Sequence, residues 1–379
     1  MTELLSGFWN YGVMFLVILT VVVFVHEMGH FLLARLNGVK VETFSVGFGP
    51  ELVGFTSKSG TRWKICALPI GGYVKMLGDM NAASVPGDLD GIAPAERSLA
   101  FPAKKLWQRA SIVAAGPIFN LLFGFLLFAI LFQVHGETRL QPVIGEVVPD
   151  SAAAEAGLKA GDRILEADGH KVDWFRDLQR IITLSVQEPV TLVVERDGAR
   201  LDLPIYPRVV EETDAFGNVQ KRPIIGVRGD GTALEVVRHD PISALGAAGR
   251  ETLTMISSTL TVVGQMLTGA RDTSELSGPI RIAKGAGQAA QLGVGTAVFY
   301  TILLSVNLGL FNLFPVPLLD GGHLLFYGIE ALRGKPLGAR AQEYGFRLGL
   351  FLVLALMVLA TRNDLVDLKV WDFIKNVVS

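Results

Sequence analysis

Cysteine is almost absent from this sequence, since Cys66 is the only one among 379 residues. A single thiol excludes an internal disulfide and any zinc site built from cysteines. Charge is also scarce: only 18% of the residues are Asp, Glu, Lys or Arg, where a soluble domain carries roughly a quarter. The 34 basic and 36 acidic residues leave a net charge of -2. This balance gives no electrostatic reason to expect a nucleic-acid partner.

Hydrophobic residues make up 50% of the chain, and the mean hydropathy is +0.43. Four stretches are long and apolar enough to cross a hydrocarbon core about 30 Å thick, which takes roughly 20 helical residues. They run over Tyr11 to Leu36, Ala110 to Val134, Val298 to Leu319 and Leu348 to Thr361. We expect the first to be a retained span and not a signal peptide, because Glu3 and no basic residue precede it.

Basic residues predict the orientation of the spans. Lys and Arg are concentrated between the first two spans and between the last two, which the positive-inside rule assigns to the cytoplasm. Both termini and the segment from His135 to about Thr296 are then expected outside. Ile242 to Leu267 competes for span status, but its pattern predicts an amphipathic surface helix. A fifth span there would also separate the two motifs described next.

The first span contains the motif His26-Glu27-Met28-Gly29-His30 near its inner end. Two histidines at i and i+4 lie on one helix face and can share a tetrahedral zinc ion, with Glu27 placed to accept a proton from the attacking water. The alternative is a set of polar residues that fray a helix end. We favour zinc, because ionisable groups at membrane depth are costly and usually functional.

A catalytic zinc ion normally has a third protein ligand, and Asp320 is the candidate. Pro315 and Pro317 precede it and are expected to break the helix, which predicts an irregular, wet pocket at that point. In the predicted topology Asp320 reaches the same depth as His26. A helix stop with an interfacial Asp320 is the alternative, and His323 is a weaker candidate ligand.

Taken together, the motifs closely resemble the site-2 protease family, in its bacterial regulator-of-sigma-E type. The resemblance covers nearly the whole chain. It rests on the His26–His30 motif and on five further segments: Phe48-Gly49-Pro50, Leu68 to Lys75, Gly116 to Asn120, Leu276 to Ile280 and Asn312 to Gly321.

The resemblance implies a zinc metalloendopeptidase that cuts transmembrane segments of single-span proteins, such as pre-trimmed anti-sigma factors or remnant signal peptides. It implies His26, His30 and Asp320 as zinc ligands, Glu27 as general base, and Asn307 and Asn312 as substrate-binding residues. It also implies a bacterial inner-membrane location, with the active site near the cytoplasmic face. Enterobacterial members carry two tandem PDZ domains, whereas this chain has room for one.

The segments between the spans contain alternating patterns that are typical of β-strands. Residues from Val41 to Met76 alternate as a β-hairpin, which we expect to dock on the membrane domain. The resemblance implies that this hairpin offers a strand edge to an unwound substrate. A surface hairpin without a catalytic role is the alternative. The outer segment looks like a circularly permuted PDZ domain, with turns at Asp168-Gly169 and Asp197-Gly198 and a possible peptide ligand in its groove.

The sequence therefore predicts a polytopic α-helical membrane protein with about four spans, a membrane-associated β-hairpin and an inserted periplasmic PDZ domain. The expected segments are 1–36 (first span), 37–109 (cytoplasmic loop), 110–135 (second span), 136–235 (PDZ domain), 236–296 (periplasmic amphipathic helical segment), 297–322 (third span) and 323–379 (fourth span and tail).

Two other functions stay open on the sequence alone. A non-catalytic PDZ scaffold with a structural metal would bind partners and would not need Glu27. A transporter is weaker, because no inverted repeat is apparent and four spans leave little room for two gates. In every case the lipid bilayer is an expected partner.

Overall fold

The computed structural model describes residues 2–79, 92–185, 188–213 and 219–367. The helices are α1 (Thr2–Leu36), α2 (Leu106–His135), α3 (Ala152–Glu155), α4 (Phe175–Leu184), α5 (Pro241–Leu267), α6 (Pro279–Gln291), α7 (Val294–Asn312), α8 (Asp320–Arg333) and α9 (Ala339–Asp367). The strands are β1 (Val41–Thr56), β2 (Arg62–Met76), β3 (Glu137–Leu140), β4 (Ile144–Val147), β5 (Arg163–Ala167), β6 (His170–Lys171), β7 (Val190–Arg196), β8 (Ala199–Ile205), β9 (Arg208–Thr213), β10 (Val219–Ile224), β11 (Val227–Gly229) and β12 (Leu234–Val237).

The chain forms two compact units. The first contains α1, the β1–β2 ribbon, most of α2 and the helices from α6 onward, and the second contains residues 128–277. The expected helical segment 236–296 is therefore divided, because α5 belongs to the second unit and α6 to the first. A buried contact explains the place of α6: the Asp364 carboxylate accepts hydrogen bonds from the backbone amides of Gly278 and Ile280 and from Arg281 Nε.

Among the described residues, four helices are long and apolar enough to cross a membrane: Tyr11–Leu36, Leu106–His135, Val294–Asn312 and Arg340–Val366. The first has the bounds expected from the sequence. The fourth is longer than the expected Leu348 to Thr361, because the polar residues that flank the apolar run continue the helix at both ends.

The third span was expected to reach Leu319, but α7 ends at Asn312. Pro315 and Pro317 follow, and proline can neither donate the backbone hydrogen bond nor fit inside a continuing helix. An irregular turn covers residues 313–319, and α8 then starts at Asp320. Asp320 is thus the first residue of a new helix and not the end of the third span.

The β1–β2 ribbon is more complex than the expected two-stranded hairpin. Both strands bend, so that the first half of each strand pairs on both of its sides. Residues 41–46 pair with 72–76, residues 43–46 also pair with 62–65, and 62–65 pair in turn with 53–56. In the described part of the chain, residues 72–76 therefore form one edge of a small four-segment sheet and 53–56 form the other.

The ribbon docks on the helices through a shared apolar core. Phe44 from β1 and Met76 from β2 are buried together with Ala34 of α1, Ile112 of α2 and Tyr327 of α8. A two-stranded ribbon is marginal in water, and this contact supplies the apolar burial that it lacks alone. This contact joins the base of the ribbon to the helices that surround the His26–His30 motif of α1.

The second unit is built around the antiparallel sheet β6-β5-β7-β8. Its core contains the fully buried Ile164, Leu178, Leu192 and Ile205, which come from three strands and from α4. The strands β4 and β11 pair beside this core, while β3 pairs with β12 where the chain enters and leaves the unit. Positive φ angles at Asp168-Gly169 and Asp197-Gly198 fit the tight hairpin turns expected there.

Asp79, just after β2, is a buried carboxylic acid in the first unit. One oxygen accepts a hydrogen bond of 3.0 Å from the Met76 amide, and the other has no hydrogen-bond partner in the described part of the chain. Burial disfavours the charged form and raises the pKa of Asp79 to about 7. This carboxyl group is therefore protonated in the folded protein below neutral pH.

We predict that Asp79 lowers stability as pH rises. The folded protein keeps this proton up to about pH 7, whereas the unfolded chain releases it near pH ~4. The contribution of Asp79 to the free energy of unfolding must then fall between those two values and stay level above them. Thermal unfolding of the detergent-solubilised protein from pH 5 to pH 8 should show this slope, and Asp79→Asn should reduce it. An unchanged slope in Asp79→Asn would contradict this interpretation.

Candidate metal centre

Three side chains from two helices converge in the first unit. His26 Nε2 lies 3.1 Å from Asp320 Oδ2, His30 Nε2 lies 3.6 Å from the same oxygen, and the two Nε2 atoms are 3.2 Å apart. Both histidines are buried, and Asp320 is mostly buried. Among the described residues, these three form the group of His, Cys, Asp and Glu side chains whose ligand atoms are close enough to share a metal ion.

The geometry of this group fits zinc. Ligands 2.0–2.1 Å from a tetrahedral ion lie about 3.3 Å from one another, and the three observed separations lie on both sides of that value. Asp320 Oδ2 is buried and lies against the Nε2 atoms of both histidines. A buried carboxylate oxygen is costly unless a proton or a cation satisfies it, and a cation bound to the two Nε2 lone pairs would do so.

The outer nitrogen of each imidazole has its own partner. His30 Nδ1 lies 2.9 Å from the carbonyl oxygen of Ile112, which can only accept, so Nδ1 carries the proton and Nε2 keeps its lone pair. His26 Nδ1 lies 3.2 Å from Asn120 Nδ2, while Asn120 Oδ1 has no hydrogen-bond partner among the described residues. Turning this amide by 180° lets that oxygen accept from Nδ1. Both Nε2 atoms are then free to bind metal.

Helix α2 approaches the two histidines closely because it has glycine at position 116. A Cβ atom there would lie 2.8 Å from His26 Nε2 and 2.6 Å from His30 Cε1, both too close for a real side chain. The same helix is held against α7, since Ser305 Oγ donates a hydrogen bond of 2.9 Å to the carbonyl oxygen of Asn120. Only glycine at position 116 allows the observed ring positions.

The start of α8 fixes the carboxylate of Asp320. Leu318 has φ 102°, which is rare for a residue with a side chain and marks a backbone held by its surroundings. A Cβ atom on Gly322 would lie 2.5 Å from Pro317 Cα. The turn and the first residues of α8 therefore pack with no space between them, which limits how far Asp320 can move.

Glu27 lies beside the three ligand side chains and faces the ribbon. It shares helix α1 with His26, and a Cβ atom on Gly72 of β2 would lie 3.1 Å from Glu27 Cγ. Gly72 begins the edge segment 72–76 of the ribbon. The side chain expected to act as a base is thus close to a strand edge.

The remaining residues singled out from the sequence lie elsewhere. Asn307 and Asn312 are on α7, and Asn312 donates a hydrogen bond of 3.0 Å to the Leu308 carbonyl of its own helix. Their binding of substrate stays a prediction. His323, the weaker candidate ligand, is buried with its ring centre 5.4 Å from that of Phe346 and is not in the three-residue group.

The sequence did not predict the roles of Ile112, Gly116 and Asn120. Gly116 and Asn120 belong to a recognised motif, but their contacts with His26 and His30 could not be read from it. A backbone carbonyl such as that of Ile112 carries no signal in the sequence. The available signal was the spacing, because positions 112, 116 and 120 share one helix face.

A histidine pair of the HExxH type that meets a buried carboxylate is the kind of site found in metallopeptidases. The chain belongs to peptidase family M50, whose family model matches residues 14–356. It is 47% identical to Atu1380 of Agrobacterium fabrum, provisionally named a zinc metalloprotease, over 97% of this chain and 98% of that protein. It is 38% identical to the metalloprotease MmpA of Caulobacter vibrioides, over 97% and 98% of the two chains.

A solved structure, the PDZ domain of the SdrC-like protein of Listeria monocytogenes, is also similar. It is 24% identical, covers 23% of this chain and 84% of that domain, and has a TM-score of 0.19. Family membership and the four apolar helices confirm the prediction of a multi-pass membrane protein of the site-2 protease family.

We predict that Gly116→Ala weakens zinc binding although it changes no ligand. The added methyl group must displace the imidazoles, and such shifts near a metal site typically cost about 10- to 100-fold in affinity. Competition with a chromophoric chelator should show this loss. Gly328→Ala is the matched control, because a Cβ atom on Gly328 meets nothing within 4 Å. Equal affinities for the two variants would contradict the prediction.

Proposed function

We propose that this protein is an intramembrane zinc endopeptidase that cleaves transmembrane segments of single-span membrane proteins in regulated proteolysis. One observation carries the proposal: His26 and His30, on an apolar helix long enough to span a membrane, converge with Asp320 of α8 beside Glu27. Polar groups of this kind are expensive at membrane depth and are usually retained for function. Membership of family M50 supports the same chemistry.

In the proposed reaction, His26, His30 and Asp320 would hold a zinc ion, which would polarise the scissile carbonyl and make water nucleophilic near neutral pH. Glu27 accepts the proton of the attacking water at its carboxylate and then delivers it to the leaving amine, as a general base followed by a general acid. Asn120 and the Ile112 carbonyl keep the imidazoles oriented during turnover.

A transmembrane substrate must lose helical structure before one of its amide bonds can be attacked. We propose that the edge segment 72–76 pairs with the unwound chain, since strand addition replaces the hydrogen bonds that the helix gives up. The proximity of Gly72 to Glu27 supports this proposal. Asn307 and Asn312 are proposed to hold the substrate from α7, and trimmed anti-sigma factors or remnant signal peptides fit the substrate class.

The proposed location is the bacterial inner membrane, with the metal centre near the cytoplasmic face. Basic residues support it, because Arg35 lies in the last turn of α1 and Lys104 and Lys105 precede α2. The second unit is then periplasmic. Within that unit, a cavity of about 670 Å³ lies between α4 and residues 222–229. We propose that this groove binds peptide ends in the manner of a PDZ domain.

The number of ligands favours an enzyme over a structural metal site. Structural zinc sites normally take four protein ligands, whereas catalytic sites take three and leave one position for water or substrate. In the described part of the chain, three side chains converge. The non-catalytic scaffold predicts a fourth protein ligand and normal function without Glu27.

We predict that Glu27→Gln loses turnover but keeps zinc, because the amide preserves the shape of the side chain and cannot accept a proton. The loss should be about 10²-fold or more. His26→Ala should lose both zinc and cleavage. The measurement is cleavage of a tagged single-span reporter by the purified protein in detergent, with and without a chelator, together with the zinc content of each variant.

Glu343→Gln is the matched control, since Glu343 is exposed on α9 and pairs only with Arg347 among the ion pairs of the described residues. It should cleave at the wild-type rate. Cleavage by Glu27→Gln at the wild-type rate would overturn the proposed mechanism. Zinc binding without cleavage, combined with normal cellular function of Glu27→Gln, would favour the scaffold.

A further inference from the structure

One face of α2 carries the contacts that hold the two histidines. The Ile112 carbonyl meets His30, Gly116 makes room for both rings, and Asn120 meets His26. These positions are spaced by four residues and follow one stripe of the helix. Extending the stripe back by three residues reaches Arg109. This arginine contacts α8, the helix that begins with the third ligand, Asp320.

Arg109 makes two contacts with α8, and both are shielded from solvent. Its Nη2 donates a hydrogen bond of 2.6 Å to Glu330 Oε1, with side-chain exposures of only 12% and 16%. Its guanidinium also lies over the buried Tyr327 ring, 5.0 Å from the ring centre. A shielded, charge-assisted hydrogen bond is worth more than an exposed ion pair. We name Arg109, Tyr327 and Glu330 the α8 clamp.

The clamp and Asp320 lie at opposite ends of one short helix. Glu330 follows Asp320 by ten residues, which is about 15 Å along the axis. The start of α8 packs on the turn before it, and Phe326 in its middle contacts Phe346 of α9. The far end is tied to α2 through the clamp. A cavity of about 210 Å³ next to the clamp, lined by Arg109, His323, Tyr327 and Glu330, gives this end room to shift.

From this arrangement we infer that Arg109 is a positioning residue for Asp320, acting through Glu330 and Tyr327 on the orientation of α8. Helix α2 then sets the position of all three ligands, two by direct contact and the third through the clamp. Arg109 itself touches none of the ligand atoms. This inference rests on the proposed zinc site, but it does not require that the protein cleave any particular substrate.

The inference predicts a weaker zinc site when the clamp is broken. Loss of Arg109 leaves Glu330 shielded without its partner, which drives this carboxylate toward solvent and pulls α8 with it. A changed tilt of α8 then shifts the Asp320 carboxylate relative to His26 and His30, by a small distance because the turn before α8 is tightly packed. Zinc affinity of Arg109→Ala and of Glu330→Ala should fall by about tenfold or more, as for other groups that orient metal ligands.

The experiment measures zinc affinity of the full chain in detergent by chelator competition, and the absorption spectrum of the cobalt-substituted protein as a record of ligand geometry. The variants are Arg109→Ala, Glu330→Ala, the double variant and the charge reversal Arg109→Glu with Glu330→Arg. If the pair acts as a unit, the double variant loses no more affinity than either single variant. The charge reversal should recover part of the loss.

Arg347→Ala is the matched control, because it removes an arginine from an exposed pair with Glu343. It should bind zinc as the wild type does. Metal-free thermal unfolding of each variant identifies general loss of folding. Arg109→Lys, which keeps the charge and loses the planar group, gives a milder second variant and should show an intermediate affinity.

Wild-type zinc affinity and an unchanged cobalt spectrum in Arg109→Ala would overturn the inference and leave the proposed function intact. Affinity losses that simply add in the double variant would also overturn it, because the two residues would then act separately. A wild-type protein that binds no zinc would overturn the proposed function and this inference together. For an active wild type, the loss should appear in kcat at low zinc with little change in KM.

Discussion

Three electron-rich atoms lie within 3.6 Å of one another inside an apolar bundle, and the rest of the first unit depends on holding them there. Two imidazole lone pairs and a carboxylate repel each other unless a proton or a metal cation lies between them. Close packing holds the three groups together, with glycine at position 116 beside the rings and a tight turn before Asp320. A bound zinc ion would add its binding free energy to the stability of this arrangement.

Much of this centre could be predicted from the sequence. The spacing of His26 and His30 is a local property of one helix, and the prolines before Asp320 are local signals for a break. The convergence of the two motifs was expected from the count of spans and the distribution of basic residues. Helical spacing, a helix break and the distribution of basic residues each depend on residues close together in the sequence. They can therefore be predicted without knowledge of the fold.

The parts that could not be predicted depend on contacts between distant segments. The ribbon was expected as a simple hairpin, because alternation in β1 and β2 defines strands but not that each strand bends and pairs twice. Asn120 and the Ile112 carbonyl gain their roles only when α2 lies against α1. The separate helix α8 was not predicted. Only seven residues separate it from α7, and so short a break does not show by periodicity where one helix ends and the next begins.

Helix α2 is the element through which these distant contacts become one site. Glycine lets it approach its neighbours: a Cβ on Gly309 of α7 would lie 2.7 Å from the Pro117 carbonyl oxygen, and a Cβ on Gly124 would lie 2.5 Å from Val306 Cγ2. Close approach of this kind replaces the hydrophobic driving force that helices lack within lipid. Because α7 leads directly into the turn before Asp320, its distance from α2 also limits where that carboxylate can lie. The small residues of α2 and α7 are therefore as much a part of the metal centre as the side chains that would bind the ion.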